Sequence, residues 1–213
     1  MEVSETEKSL LRDELRRGRE AHGETVRRTA DAQICRSILS LDALSDLAVI
    51  AGYRAHGAEA NIDAALVAML RRGVAVAFPK VAPGRQLEWR VVRDLDRDFE
   101  QGSYGIQEPT TPPIESPEVI QAVLTPGLGF DRRGQRLGAG KGYYDTFFQG
   151  AGTSILRIGI AYDSQLVEQI PTDVWDQAMD WIITESETIC CRGVGGDRGG
   201  MKPPRGAPGQ REG

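Results

Sequence analysis

Residues 48–78 read AVIAGYRAHGAEANIDAALVAMLRRGVAVAF, and the spacing of apolar residues along this stretch decides the fold class. Ala48 to Tyr53 is a short apolar run of the kind that makes a buried strand. Asn61 to Arg72 then places Leu66, Met69 and Leu70 at helical spacing and stops at Gly73, a residue that closes helices because it accepts a left-handed backbone. Val74 to Phe78 is again short and rich in β-formers, and Pro79 closes it. Strand, helix, strand is the connection that joins parallel strands.

The same alternation continues outward. Upstream, Ile34, Ile38 and Leu41 recur at i, i+4 and i+7, which predicts a helix from Thr25 to Leu41. Before it, Ser4 and Glu7 have capping-box spacing and introduce an amphipathic helix with Leu10, Leu11 and Leu15 on one side and Lys8, Arg12, Arg16 and Arg19 on another. Downstream, strands are expected at Leu87–Val92, Ile120–Thr125, Ile155–Tyr162 and Trp181–Thr184, with helices at Tyr143–Phe148 and Ser164–Ile170. Gly102 to Pro117 holds Pro109, Pro112, Pro113 and Pro117 and reads as a long irregular loop, of the kind often tied to function. The expected fold is α/β, a three-layer arrangement with a mostly parallel sheet flanked by helices. It occupies residues 1–191. In residues 192–213, eight glycines and three prolines leave little apolar material to bury, which predicts a disordered tail.

Composition narrows the function. The 213 residues are 40% hydrophobic and 27% charged, and 26 basic against 31 acidic residues give a net charge of −5, which argues against a generic nucleic-acid binder. Apolar runs such as Leu47–Ala51 and Val74–Phe78 fall far short of the roughly 18 residues a membrane helix needs, so no membrane association and a cytoplasmic location are expected. Cys35, Cys190 and Cys191 form no CxxC pair, so neither a zinc site nor a disulfide framework is indicated. His22 and His56, the two histidines, read as surface residues.

The chemistry lies in residues 125–145, TPGLGFDRRGQRLGAGKGYYD. Gly134, Gly138, Gly140 and Gly142 remove the Cβ atoms that would keep backbone N–H groups from an anion, while Arg132, Arg133, Arg136 and Lys141 supply positive charge. A triphosphate suits such a loop. It is not a P-loop, because Gln135 and Gly142 stand where glycine and Ser or Thr are needed, and Tyr143 breaks a dinucleotide fingerprint.

The run RLGAGKGYYD preceded by PGLGFDRRG closely resembles the 5-formyltetrahydrofolate cyclo-ligase family, also called methenyltetrahydrofolate synthetase. Other family-like pieces follow in order over about residues 5–187: Lys8 with Arg12, Tyr53 with Glu59, FPKV at 78–81, GIQEP at 105–109, Gln165, Pro171, Asp176 and IITE at 182–185. The resemblance implies a fold similar to the ribose-phosphate isomerase and CoA-transferase group. It also implies ATP- and Mg²⁺-dependent closure of 5-formyltetrahydrofolate to 5,10-methenyltetrahydrofolate, through phosphorylation of the formyl oxygen and attack by N10. The family's ATP loop falls on Arg136, Leu137, Gly138, Ala139, Gly140, Lys141, Gly142, Tyr143 and Tyr144, with Lys8 and Arg12 reaching the same nucleotide. Lys141 and Arg136 match its charge-stabilising catalytic positions, Asp145 and Asp176 its magnesium carboxylates, and Arg54, Glu59 and Tyr143 its substrate contacts. Tyr143 and Tyr144 could equally pack as core at helical spacing. Trp175 stands where many relatives have His, Thr146 where Arg is usual, and Ala139 within the GxG. The expected partner is a reduced folate bound by a monomer. The rival readings are a catalytically idle nucleotide- or folate-binding protein, a sugar-phosphate enzyme of the same fold group, and RNA binding through the Gly/Arg-containing tail.

Overall fold

The structure is a computed structural model that describes residues 5–102, 105–151 and 154–192. Ser4 of the expected capping box and the expected tail from residue 193 lie outside the described residues.

Two helices, α1 (Glu5–Glu20) and α2 (Glu24–Ser40), precede strand β1 (Val49–Ala51), helix α3 (Asp63–Arg71) and strand β2 (Ala75–Ala82). Strands β3 (Gln86–Val92), β4 (Phe99–Gln101), β5 (Gln107–Pro109), β6 (Ala122–Pro126), β7 (Gly129–Asp131) and β8 (Arg136–Leu137) lead to helix α4 (Tyr143–Ala151). The chain continues through β9 (Leu156–Ile160), β10 (Leu166–Val167), β11 (Trp181–Ile183) and β12 (Thr188–Cys190). The main sheet has seven strands in the order β12-β11-β9-β6-β1-β2-β3. Its inner neighbours are parallel, with Ile50 in register with both Val76 and Ala122, while β3 and β12 close the two edges antiparallel. The mostly parallel sheet is therefore as expected.

Because side chains alternate across a strand, each strand feeds two cores. Ile50, Val76, Phe78, Leu124 and Ile158 meet Ile34 and Ile38 of α2 and Leu66 and Met69 of α3 on one face. Ala51, Ala77, Val123 and Ile182 meet Phe148 of α4 and Trp89 of β3 on the other. Three layers result. Gly159 of β9 is required by this packing, since a Cβ there would lie 2.5 Å from the ring of Phe130, which β7 lays over the sheet.

Three expectations change. Pro79 does not end its strand: the β1 ladder stops at Ala77, so beyond it β2 pairs with β3 alone, and a residue without an N–H is tolerated on the vacated side. Part of the expected loop at 102–117 is a strand, β5, paired antiparallel with β4, with Pro109 opposite Phe99 while the next bond across comes from the Thr110 amide to the Asp98 carbonyl at 2.9 Å, so the missing proline N–H is not called on. The expected helix at Ser164–Ile170 is one 3₁₀ turn, Asp163–Gln165, followed by β10 pairing with β7. There the buried Gln165 side chain donates to the carbonyls of Gly127 and Leu128 at 2.8 and 3.0 Å and accepts the Tyr162 amide, contacts that override helical propensity. Cys190 closes β12, and all three cysteines are free. Among the described residues no helix is long and apolar enough to cross a membrane.

Candidate functional site

The glycine-rich segment is a hairpin and a turn rather than a featureless loop. β7 and β8 pair antiparallel, and residues 138–142 carry the chain into α4. Gly140 and Gly142 have φ of +93° and +70°, so the backbone turns there in a way other residues resist. Arg136, whose side chain is 5% exposed, donates from Nη2 to Oδ2 of Asp145 at 2.8 Å, and its guanidinium lies over the Tyr144 ring. Asp145 belongs to the first turn of α4, where the helix dipole favours an acid.

The first helix lays a cationic face against this segment. Steps of four, seven and eleven residues return to nearly the same side of a helix, and Lys8, Arg12, Leu15 and Arg19 share that side. Lys8, Leu15 and Arg19 are the buried residues of α1, whereas Leu10 is 67% exposed. The leucine side therefore does not bury as a unit, and basic residues take its place against the cleft. Lys8 Nζ donates to Asp173 and Asp176 Oδ2, each at 2.7 Å. Burial works against its charge, but the bonds to Asp173 and Asp176 outweigh it and raise the lysine above its ordinary range. Arg12 donates to the Gly138 carbonyl at 3.1 Å and pairs with Glu5 at 2.7 Å. Arg19 reaches the Gly127 carbonyl at 3.4 Å and Glu59 at 3.9 Å.

Glu59, on the connection between β1 and α3, accepts the His56 amide at 3.0 Å. Burial raises its carboxyl above the ordinary glutamate range, against the pull of the His56 amide and Arg19. Burial likewise pushes the Tyr144 phenol up, with the Glu59 charge adding to it.

These groups line one cleft of ≈ 480 Å³, which takes in Lys8, Arg12, Arg19, Glu59, the whole of 136–145, Asp173 and Asp176. Thus Arg136, Leu137, Gly138, Ala139, Gly140, Lys141, Gly142, Tyr143, Tyr144, Asp145, Asp176, Lys8, Arg12 and Glu59 all line one cleft. Tyr144 does both things open to it, lining the cleft while packing on Trp89 and Phe148. Arg54 is not brought there: its guanidinium is held by Asp63 at 2.8 Å and stacks on Phe99. Trp175 is 68% exposed and does not line the cleft either. Arg16, Arg19, Asp173 and His56 line it without having been assigned to the site, His56 being exposed at its rim as a surface residue. The signal for Arg19 was its eleven-residue step from Lys8; for Asp173 there was none, because its partner is 165 residues away.

The model of the 5-formyltetrahydrofolate cyclo-ligase family matches residues 4–185, most of the chain. The chain belongs to that family. Among curated cyclo-ligases, that of Mycolicibacterium smegmatis is 31% identical over 192 residues, covering 88% of this chain and 98% of its own. The Haemophilus influenzae cyclo-ligase is 28% identical over 173 residues, covering 78% and 91%. Among solved structures, the 5,10-methenyltetrahydrofolate synthetase of Aquifex aeolicus superposes with a TM-score of 0.76 at 28% identity, covering 93% of this chain and 97% of that one. The synthetase of Mycoplasma pneumoniae gives 0.70 at 25%, covering 84% and 98%. Cyclo-ligase family membership thus spans both core layers and every element of the cleft, from α1 to residue 176.

Proposed function

We propose that this cyclo-ligase family member closes 5-formyltetrahydrofolate to 5,10-methenyltetrahydrofolate at the expense of ATP, releasing ADP and phosphate. The observation that carries the reading is the convergence, in one cleft, of the 136–144 segment, the Lys8 and Arg12 face of α1, the carboxylates Asp145 and Asp176, and the buried Glu59. Action on a reduced folate as a monomer in the cytoplasm belongs to the same reading.

The formyl group on N5 is an amide and a poor electrophile. Transfer of the γ-phosphoryl group forms a bond from phosphorus to the formyl oxygen, and the bond to the β-phosphate bridge oxygen breaks with its electrons leaving on ADP. The N10 lone pair then attacks the activated carbon, and phosphate departs with the C–O electrons while the N10 proton passes to it. Phosphoryl transfer asks a protein mainly for positioning and charge stabilisation. Arg136 and Lys141 supply that charge as the catalytic residues, with Lys8 and Arg12 holding the nucleotide and the backbone of 137–142 cradling its phosphates. Glu59 accepts N–H groups of the pterin ring, with Tyr143 beside it.

For magnesium, Asp145 and Asp176 are the residues that would hold the ion. Their chemistry fits, because Mg²⁺ takes one or two carboxylates and completes its shell with water and phosphate oxygens. Asp145 Oδ1 meets a long 3.4 Å contact from the Gln177 amide, leaving that oxygen weakly engaged. Bound there, the ion would neutralise phosphate charge. Among the described residues no group of three or more His, Cys, Asp or Glu could hold a metal ion, so an ion at Asp145 and Asp176 would have to take its remaining ligands from water and the nucleotide. The test is absorbance of the methenyl chromophore when the protein meets 5-formyltetrahydrofolate, Mg²⁺ and ATP. A rise that depends on ATP is expected; its absence in a protein that still binds ATP would overturn the reading in favour of an idle binding protein.

A further inference from the structure

We propose that Arg19 is a substrate-contacting residue whose guanidinium donates to the formyl oxygen of the folate at the point where the two substrates meet. The inference rests on the reading of the cleft as a folate and ATP site.

The cations of the cleft differ in how well they are held. Lys8 has two carboxylates at 2.7 Å, Arg12 has Glu5 at 2.7 Å and the Gly138 carbonyl at 3.1 Å, and Arg136 has Asp145 at 2.8 Å. Arg19 alone among these four has no close partner. Its side chain is 10% exposed and its two acceptors stand off at 3.4 and 3.9 Å, and although the buried Nε of Arg136 likewise has no hydrogen-bond partner among the described residues, only Arg19 combines an orphaned Nε with the lack of a close carboxylate. A guanidinium carries five donors, and leaving them unmet away from water is costly, so an acceptor missing from the protein is expected at the cleft.

Its position says which acceptor. On one side stands Glu59, assigned to the pterin. On the other stands Gly127, where an added Cβ would lie 3.3 Å from Cγ of Arg136, so Arg19 and the phosphate-side arginine flank the same glycine. A group between Glu59 and Arg136 lies at the border of the two substrates, and the atom that crosses that border is the formyl oxygen, which takes the phosphoryl group. A fixed guanidinium there orients the formyl oxygen toward the γ-phosphate and, as the oxygen–phosphorus bond forms, offsets the negative charge carried by the phosphoryl oxygens beside it.

The test compares binding of 5-formyltetrahydrofolate with that of 5-methyltetrahydrofolate, which lacks the carbonyl oxygen, in the wild type, Arg19→Lys and Arg19→Gln. Both variants are expected to lose about 10-fold or more in affinity for the formyl compound while binding the methyl compound as the wild type does. Turnover should fall more in Gln than in Lys, with ATP affinity retained. Equal losses for both folates, or loss for neither, would overturn the proposal and leave Arg19 a structural residue of α1. Arg19→Lys keeps a cation in place should Arg19→Gln fold poorly. A wild type that makes no methenyl product would defeat the reading of the site instead, so the two failures are distinguishable.

Discussion

Glu59 joins a stability cost to its proposed role in folate binding. Its carboxyl titrates above the ordinary value of 4.5 because burial disfavours the ionised form. The folded protein therefore holds the proton to higher pH than the unfolded chain does, and stability is lost as pH rises from 4.5 through the raised folded value. Glu59→Gln is expected to raise the melting temperature near neutral pH, to leave it near wild type below pH 4.5, and to weaken folate binding; thermal melts across pH and folate titrations check both halves. Lys141 is the contrasting case, exposed at the turn into α4. Lys141→Ala should lower turnover on the order of 100-fold or more while leaving the melting curve in place, since a surface truncation seldom alters stability by more than about 0.5 kcal/mol. A variant with near-normal turnover would remove this lysine from the mechanism. Both residues stood out in the sequence through their motifs, whereas the buried environment that shifts Glu59 is made by groups distant in the chain.

At the scale of elements, two junctions hold the site. The hairpin of β7 and β8 is seated on the sheet by Phe130, which needs the space left by Gly159. Gly159→Ala should destabilise by about 1–3 kcal/mol, measured by urea unfolding, because a Cβ 2.5 Å from the Phe130 ring forces that ring and the hairpin to shift. The second junction ties α1 to the 173–176 segment through Lys8. Lys8→Met would leave Asp173 and Asp176 without their shared cation, and ATP affinity measured by calorimetry should fall along with stability. Strands and helices with strong periodicity, such as α2, α3, β6 and β9, were legible from spacing alone. The 3₁₀ turn at 163–165 was not, because the bonds of Gln165 to Gly127 and Leu128 join parts of the chain 38 and 37 residues apart.

For the whole molecule, the cleft joins the N-terminal helix to the segment just before β11, so a nucleotide bound there clamps the ends of the fold together. A ligand that binds only the folded state stabilises by mass action, about 2.7 kcal/mol at 100 times its Kd. ATP should therefore raise the melting temperature and, in hydrogen exchange, protect the amides of α1 and of residues 136–145 together. Protection confined to 136–145 would take α1 out of the nucleotide site.

The sequence by itself determined the parallel α/β sheet, because apolar periodicity is a local property that survives without knowledge of neighbours. It also determined the glycine- and cation-rich character of residues 136–145 and their likeness to the cyclo-ligase family, since glycine spacing and charge are written consecutively. Only the tertiary structure decided which face of α1 turns inward, that Asp173 joins Asp176 in holding Lys8, that Arg54 is held by Asp63, and that Arg19 lines the cleft with only long contacts to Gly127 and Glu59. Each of these depends on distances between residues remote in the chain, and those distances are fixed by packing, which no local pattern of residues encodes.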